Sequence, residues 1–128
     1  MVPGLTGINT ALEVDLTGQI NAEVAGGQNV GMVGGHSDFM RGCLKSLGGR
    51  GIIVMEATAR NSTVSRIVPR LSRGIVTTAR SDADTVVTEY GIAELRGRTV
   101  SERARQLIAI AHPDFRRILS EAAEEEPV

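Results

Sequence analysis

The chain has 128 residues, enough for one domain with a buried core, and its 41% apolar content is that of a soluble globular protein. Fourteen basic and fifteen acidic residues give a formal net charge of −1. This balance excludes the strongly basic class of proteins that bind nucleic acid or anionic membranes through bulk charge.

The N-terminal segment, MVPGLTGINT, has neither the basic start nor the apolar centre of a signal peptide. No run of about 20 apolar residues follows that could span a membrane. We therefore expect a cytoplasmic protein without a membrane partner. Residues 8–15 and 19–24 alternate loosely between apolar and polar, and the intervening Leu16-Thr17-Gly18 predicts a turn, so the two segments are interpreted as a strand pair.

A glycine-rich loop follows in the stretch NVGMVGGHSDFM, residues 29–40. Ser37 or Asp38 can cap a helix from Asp38 to Ser46, ended by Gly48-Gly49. Gly31, Gly34 and Gly35 would then lie just before a helix N-terminus, where outward-pointing backbone N–H groups and the helix dipole favour a phosphate or an oxyanion. The loop lacks the Lys-Ser/Thr of a P-loop and the spacing of GxGxxG, and a plain turn is the alternative. The single cysteine, Cys43, lies in the predicted helix, where packing is its expected role; it allows no internal disulfide and fits a reducing compartment.

Short apolar segments dominate the middle of the chain. Residues 51–55 are continuously apolar, as in a strand buried on both faces, and three similar segments lie at 67–68, 74–78 and 85–88. The C-terminal third predicts two helices. The first is capped by Thr99 or Ser101, and the second runs from about Asp114 to Glu125 with Phe115, Ile118, Leu119 and Ala122 on one face. This order predicts an α/β fold with an open, mainly parallel sheet and flanking helices.

Several polar residues are candidate site residues, each with a plainer alternative. Arg60 and Arg66 follow the predicted strand 51–55, where they could meet phosphates, although from the residues alone a solvated polar loop is the favoured interpretation. Glu89, beside Tyr90, could orient a substrate or pin its own loop. His36 has no partner at readable spacing, and His112 precedes Pro113 as expected at a helix start. No grouping has metal-ligand spacing and no Ser-His-Asp or Cys-His arrangement is evident, so we assign neither a metal ligand nor a catalytic residue.

Five longer stretches are more specific together than any one of them. In chain order they are INTALEVDLTGQINAE (8–23), VGGHSDFMRG (33–42), ATARNSTVSRIVP (57–69), VVTEYGIAELRGRT (86–99) and ERARQLIAIAHPDF (102–115). Their wording and order resemble the C-terminal domain of the acetyl-CoA hydrolase/transferase family, which includes 4-hydroxybutyrate CoA-transferases and succinyl-CoA:acetate CoA-transferases. The resemblance extends from about Ile8 to Phe115.

This resemblance implies CoA transfer between an acyl-CoA and a carboxylic acid such as acetate, 4-hydroxybutyrate or succinate, through a glutamyl-CoA thioester. It implies that the backbone at Gly35 contacts the acyl-CoA and that Arg60 contacts CoA. Gly31 would line the same site without a side chain, where relatives often carry a polar one. CoA and its thioesters are thus expected as substrates, with no permanently bound cofactor.

The resemblance also implies that the nucleophilic glutamate lies upstream of the segment that INTALEVD matches. Glu13, Glu23 and Glu89 occur in other motifs. Residues 1–128 are therefore expected to be a C-terminal CoA-transferase-type domain without the N-terminal domain and the nucleophile-bearing segment, and inactive in isolation. A homo-oligomer or a companion chain carrying the N-terminal domain is the expected partner. The alternative is a non-catalytic CoA-binding or assembly module.

Overall fold

A computed structural model describes residues 4–25, 28–29, 41–43, 45, 48–71 and 76–125. In these ranges two helices have defined bounds, α1 (Val100–Ala109) and α2 (Pro113–Glu125), and a 3-10 turn spans Arg80–Asp82. The strands are β1 (Thr6–Asn9), β2 (Glu13–Asp15), β3 (Ile20–Asn21), β4 (Val24–Ala25), β5 (Gln28–Asn29), β6 (Arg50–Val54), β7 (Thr58–Ala59), β8 (Val64–Ser65), β9 (Ile67–Val68), β10 (Thr85–Thr88) and β11 (Gly91–Glu94).

The main sheet has four strands in the order β1-β6-β10-β11. The central strand β6 is parallel to both β1 and β10, while β11 returns antiparallel to β10. The predicted α/β fold with flanking helices is confirmed, and two of the three pairings in this sheet are parallel. The sequence did not predict β11, which forms because Thr88-Glu-Tyr-Gly91 closes a hairpin and Gly91 accepts a φ of 146°.

A second sheet has the order β3-β2-β9, and two small hairpins, β4–β5 and β7–β8, complete the strands. The antiparallel pairing of β2 with β3 confirms the predicted strand pair and its turn. The prediction of one strand over residues 8–15 was wrong, because β1 belongs to the main sheet and β2 to the second. Between them the chain changes sheet, with Ala11 buried in the core and the N–H of Leu12 donating to Asn21 O (2.8 Å).

The core lies between one face of the main sheet and the C-terminal helices. Along β6 the burial alternates: Ile53 is fully buried, whereas Val54 is 40% exposed. The expectation of burial on both faces was therefore wrong for this strand, since only one face meets the helices. The fully buried apolar side chains of the cluster are Val14, Ile20, Ile53, Ile67, Val86, Ala93, Leu95, Leu107 and Ala111.

A buried carboxylate connects the N-terminal ends of β6 and β10. Asp84 is 4% exposed, and its Oδ2 accepts the backbone N–H of Gly51 at 2.8 Å. A buried N–H without a partner costs about 1–3 kcal/mol, so this bond favours the observed alignment of the two strands.

The helices begin where the sequence predicts. Thr99, rather than Ser101, is the N-cap of α1, and it forms a capping box with Glu102. Hydrogen bonds from the Thr99 backbone and side chain hold the pKa of Glu102 below its usual value. In α2, Leu119 is buried and Phe115 packs against the core, but Ile118 is 60% exposed, so its assignment to the inner face was wrong. Residues 113–125 otherwise match the predicted last helix.

Two predicted elements lie partly outside the described residues. Of the helix predicted for 38–46, residues 41–43 and 45 are described and helical, and Cys43 is buried with a free thiol, as expected of a packing residue. Of the strand predicted for 74–78, only residues 76–78 are described; there Thr78 forms an isolated bridge to Ile20 in place of a regular strand. Among the described residues, no helix is both long and apolar enough to cross a bilayer.

The capping box gives a test of the α1 start. Replacing Thr99 with Ala removes the acceptor for the Glu102 N–H, so Thr99→Ala should lower the free energy of unfolding by about 1 kcal/mol. Ser101→Ala, two residues on, should change it little. Urea denaturation followed by circular dichroism measures both variants, and equal effects would contradict Thr99 as the cap.

The lowered pKa of Glu102 adds a pH dependence. A carboxylate with a depressed folded-state pKa stabilises the protein above its unfolded-state pKa, and this contribution is lost as pH falls through the folded-state value. The difference in stability between wild type and Glu102→Gln should therefore shrink in acid. A difference that stays constant in urea titrations across that range would show that the capping-box carboxylate contributes nothing.

Candidate functional site

A cleft of about 730 Å³ lies where the three parallel strands β1, β6 and β10 end. The carboxyl ends of parallel strands are where open α/β sheets place their ligands. Its apolar lining consists of Ala11, Leu12, Val54, Met55 and Val87, and its polar lining of Thr10, Glu56, Arg66, Thr88 and Glu89. A smaller cavity of about 450 Å³ between α1, α2 and the β2–β3 turn lies away from these strand ends.

Glu89 fixes the loop that leaves β6. Glu89 directly follows β10, and its Oε1 accepts a hydrogen bond from the backbone N–H of Ala57 at 2.8 Å. The sequence left two roles open for Glu89, substrate orientation or pinning of its own loop. The structure shows a third arrangement, in which Glu89 pins the neighbouring loop. It thereby joins two of the strand ends that border the cleft.

Arg66 braces the same loop from the other side. Its Nε donates to Thr58 O at 3.2 Å and its Nη1 to Leu12 O at 3.4 Å, while its backbone N–H donates to Ala57 O. The predicted phosphate contact by Arg66 therefore competes with two backbone carbonyls that already occupy these nitrogens. Its described contacts give Arg66 a positioning role beside the cleft.

The turn of the β7–β8 hairpin, which precedes Arg66 in the chain, has a strained backbone. Arg60, Asn61 and Ser62 all have positive φ values, of 52°, 54° and 65°. Residues with side chains rarely adopt this left-handed region, and they are enriched there at ligand sites. Thr63 stabilises the turn, since its N–H and its hydroxyl both donate to Arg60 O. The Arg60 side chain is exposed at the tip of this turn.

Tyr90, directly after Glu89, lies in an aromatic cluster. Its ring meets His112 edge-on at 5.6 Å, and the Arg116 guanidinium lies 5.5 Å from its centroid. His112 Nδ1 accepts the N–H of Asp114 at the start of α2, which confirms its predicted place at a helix start. The hydroxyl of Thr88 donates to Ile110 O at 2.6 Å, so the end of β10 is also tied to the end of α1.

The other conspicuous glutamates have structural partners. Glu13 accepts from Asn21, and Glu23 accepts from the hydroxyl of Thr77 at 2.7 Å. Neither lines the cleft at the strand ends. In the part of the chain that the structure describes, no group of three or more His, Cys, Asp or Glu side chains is arranged to hold a metal ion.

The predicted site residues are therefore only partly placed. Gly31, Gly34, Gly35 and His36 lie outside the described residues, and Arg60 lies in the hairpin that follows the cleft-lining Glu56. Sequence reasoning missed Glu56 and the segment 10–12 as cleft residues. Their signal was available: Glu56 follows the apolar strand GIIVM directly, at the position where ligand-binding side chains of α/β sheets occur.

Comparison with solved structures defines the class of domain. RipA from Yersinia pestis is 47% identical, with a TM-score of 0.87 over 94% of this chain and 27% of that chain. A 4-hydroxybutyrate CoA-transferase from Porphyromonas gingivalis is 44% identical, with a TM-score of 0.74 over 94% of this chain and 26% of that one. The fold is that of a CoA-transferase domain.

Residues 2–123 match the acetyl-CoA hydrolase/transferase C-terminal domain, and the chain belongs to this family. A succinyl-CoA:cyclohexane-1-carboxylate CoA transferase from Geobacter metallireducens is 54% identical over 91% of this chain. A 4-hydroxybutyrate coenzyme A transferase from Clostridium kluyveri is 49% identical over 90% of it. Each match covers 27% of the relative, so the chain spans about a quarter of the length of these curated relatives.

The bond from Ala57 to Glu89 can be tested by hydrogen exchange. Glu89→Ala removes the acceptor, so the Ala57 amide should exchange faster, and loss of one such bond corresponds to about five- to tenfold. Glu89→Gln keeps an acceptor oxygen and should preserve most of the protection. Amide exchange by NMR resolves the position, and unchanged protection in Glu89→Ala would show that the loop is held by other contacts.

Proposed function

We propose that this chain is the C-terminal domain of a CoA-transferase that moves CoA between an acyl-CoA and a carboxylic acid through a glutamyl-CoA thioester. Hydrolysis of an acyl-CoA by the same thioester route is a second possible reaction of this site, because one relative is named acetyl-CoA hydrolase. The observation that carries the proposal is the cleft at three parallel strand ends in a chain of this family.

In this proposal the domain contributes a side-chain contact to CoA and backbone N–H donors to the thioester site. Arg60, exposed at the strained turn, contacts CoA, and a charge-assisted contact of this kind contributes about 1.5–3 kcal/mol when shielded. The Gly31, Gly34 and Gly35 loop lines the thioester site, where a backbone N–H such as that of Gly35 stabilises the oxyanion of the tetrahedral intermediates. Glu89 and Arg66 act as positioning residues, because they hold the loop between the cleft and Arg60.

The nucleophilic glutamate comes, in this proposal, from outside residues 1–128. Glu13 and Glu23 are engaged in side-chain hydrogen bonds away from the cleft, and Glu89 holds a backbone N–H. The isolated domain should therefore be inactive. For the whole enzyme we propose CoA thioesters and a carboxylic acid as substrates, no permanently bound cofactor and a cytoplasmic location. The alternative is a non-catalytic CoA-binding or assembly module. An assay of the isolated chain with acetyl-CoA and succinate, and in parallel with butyryl-CoA and acetate, tests the predicted inactivity, and turnover above background with either pair would contradict it.

Substitutions at the two proposed CoA contacts, Arg60 and Gly35, should reduce CoA affinity to different extents. Arg60→Ala should weaken CoA binding about tenfold or more, whereas Gly35→Val should nearly abolish it, because a side chain there displaces the thioester from the backbone donors. Arg105→Ala, which removes a charge on α1, is the matched control and should leave CoA affinity unchanged. Isothermal calorimetry with CoA gives the affinities, and circular dichroism checks the fold. Unchanged affinity in both site variants would refute the site assignment.

The same proposal includes a companion domain or a second copy as partner. Ile8 and Ile92 lie on the face of the main sheet opposite the core, which we call the outer face; Val54 and Val87 lie on the same face, at the strand ends that line the cleft. Ile8 is 65% exposed and Ile92 61% exposed. Apolar side chains grouped in this way are typical of contact surfaces.

Self-association provides the test of the outer face. Ile92→Asp should reduce concentration-dependent association of the isolated chain in analytical ultracentrifugation, because it places a charge among these apolar side chains. Ile118→Asp is the control, since Ile118 is equally exposed at 60% but lies on α2. A wild-type chain that stays monomeric across a concentration series would count against a second copy on this face.

A further inference from the structure

Relatives in this family carry names with different acyl groups, and the cleft of this chain has features that discriminate between acyl groups. The apolar part of its lining comes from Ala11, Leu12, Val54, Met55 and Val87. Val54 and Val87 are registered partners on β6 and β10, so they form one continuous apolar patch across the two strand ends. A surface of this kind favours an acyl chain without charge, because a charged group beside it loses water without gaining a partner.

The charged groups of the cleft point to the same preference. Its described lining includes two glutamates, Glu56 and Glu89, and one arginine, Arg66, which leaves a formal charge of −1. Arg66 already donates to Thr58 O and Leu12 O, and Glu89 accepts from Ala57 N. Both therefore have backbone partners that fix their side chains in place, and each retains polar atoms unused by its described contacts.

Glu56 differs from these two residues. It is the second residue after β6, its side chain is exposed on the cleft, and it makes no hydrogen bond or ion pair with any residue in the described part of the chain. A carboxylate without a protein partner has no function in holding this loop. Its negative charge acts on whatever enters the cleft.

We propose that Glu56 selects the substrate class: it disfavours acyl groups that end in a second carboxylate, so that this chain accepts monocarboxylic acids with an uncharged, mainly apolar acyl chain. This inference rests on the proposed CoA-transferase function and adds the substrate class to it. Two like charges some 6–8 Å apart at intermediate dielectric repel enough to change affinity about five- to tenfold. The CoA phosphates are common to every thioester, so a difference between two thioesters reports the acyl group alone.

The test compares two CoA thioesters of the same four-carbon length. Butyryl-CoA ends in a methyl group and succinyl-CoA in a carboxylate, and both can be used as dethia analogues that neither hydrolyse nor acylate the protein. Calorimetry with the full chain should show butyryl-CoA binding about five- to tenfold tighter than succinyl-CoA. In Glu56→Gln, which keeps the size and removes the charge, this ratio should fall at least about threefold, mainly through better binding of succinyl-CoA.

Glu124→Gln is the matched control. Glu124 is also an exposed glutamate without a described partner, but it lies on α2 beside the smaller cavity, so its loss changes the net charge equally without changing the cleft. The butyryl-to-succinyl ratio should stay at the wild-type value in this variant. Higher salt should also narrow the ratio in wild type, since it screens an exposed charge.

The outcomes separate this inference from the function on which it rests. Equal binding of the two thioesters by wild type, or the same ratio in Glu56→Gln and Glu124→Gln, overturns the role of Glu56 while Arg60-dependent CoA binding leaves the proposed function standing. Absence of any CoA binding overturns both. Tighter binding of succinyl-CoA than of butyryl-CoA would reverse the proposed substrate class.

Discussion

The parallel alignment of β6 with both of its neighbours is the constraint on which the site depends. It brings the ends of β1, β6 and β10 to one edge of the sheet, so that segments near residues 10, 55 and 88 meet although they are far apart in the chain. Hydrogen bonds secure this alignment at both ends of β6. Asp84 receives the N–H of Gly51 at the start, and the N–H of Met55 donates to Val87 O at the end. A shift of one residue would turn Ile53 to the outer face and Val54 into the core.

The loop after β6 illustrates how a strained conformation is maintained. Three consecutive residues with side chains, Arg60 to Ser62, occupy the left-handed region, and each such residue costs about 1–3 kcal/mol and persists only where the surrounding structure imposes it. Here Glu89 accepts the N–H of Ala57 just before the hairpin, and Arg66 donates to Thr58 O at its first residue. The β7–β8 pairing then closes the hairpin. The exposed Arg60 side chain is thus carried on a backbone that has few alternative conformations, so the proposed CoA contact would cost less backbone entropy than one from a flexible loop.

Local signals predicted the elements that depend on local physics. The β2–β3 turn and the starts of both C-terminal helices agree with the sequence because turn glycines, N-caps and Pro113 act within a few residues. What the sequence could not supply was the assignment of strands to sheets. Ile8 and Val14 lie in one loosely alternating stretch but end in different sheets, and the contact of Glu89 with Ala57 spans 32 positions. The family was evident from the order of motifs, whereas the cleft residue Glu56 belongs to none of the side-chain constellations that the motifs suggested.

The side chains around the cleft divide into those bound to backbone atoms and one that is unpaired among the described residues. Asp84, Glu89 and Arg66 are bound to backbone atoms, so replacing them disturbs the strand ends themselves. Glu56 has no described partner, so a change there alters the charge of the cleft at little cost in stability. Relatives with 44 to 54% identity carry names that include butyryl, 4-hydroxybutyrate and cyclohexane-1-carboxylate groups, and two of them also include succinyl-CoA. Under the proposed role of Glu56, an unpaired side chain at a strand end, over a framework fixed by backbone hydrogen bonds, would allow the acyl preference to change without a change of fold.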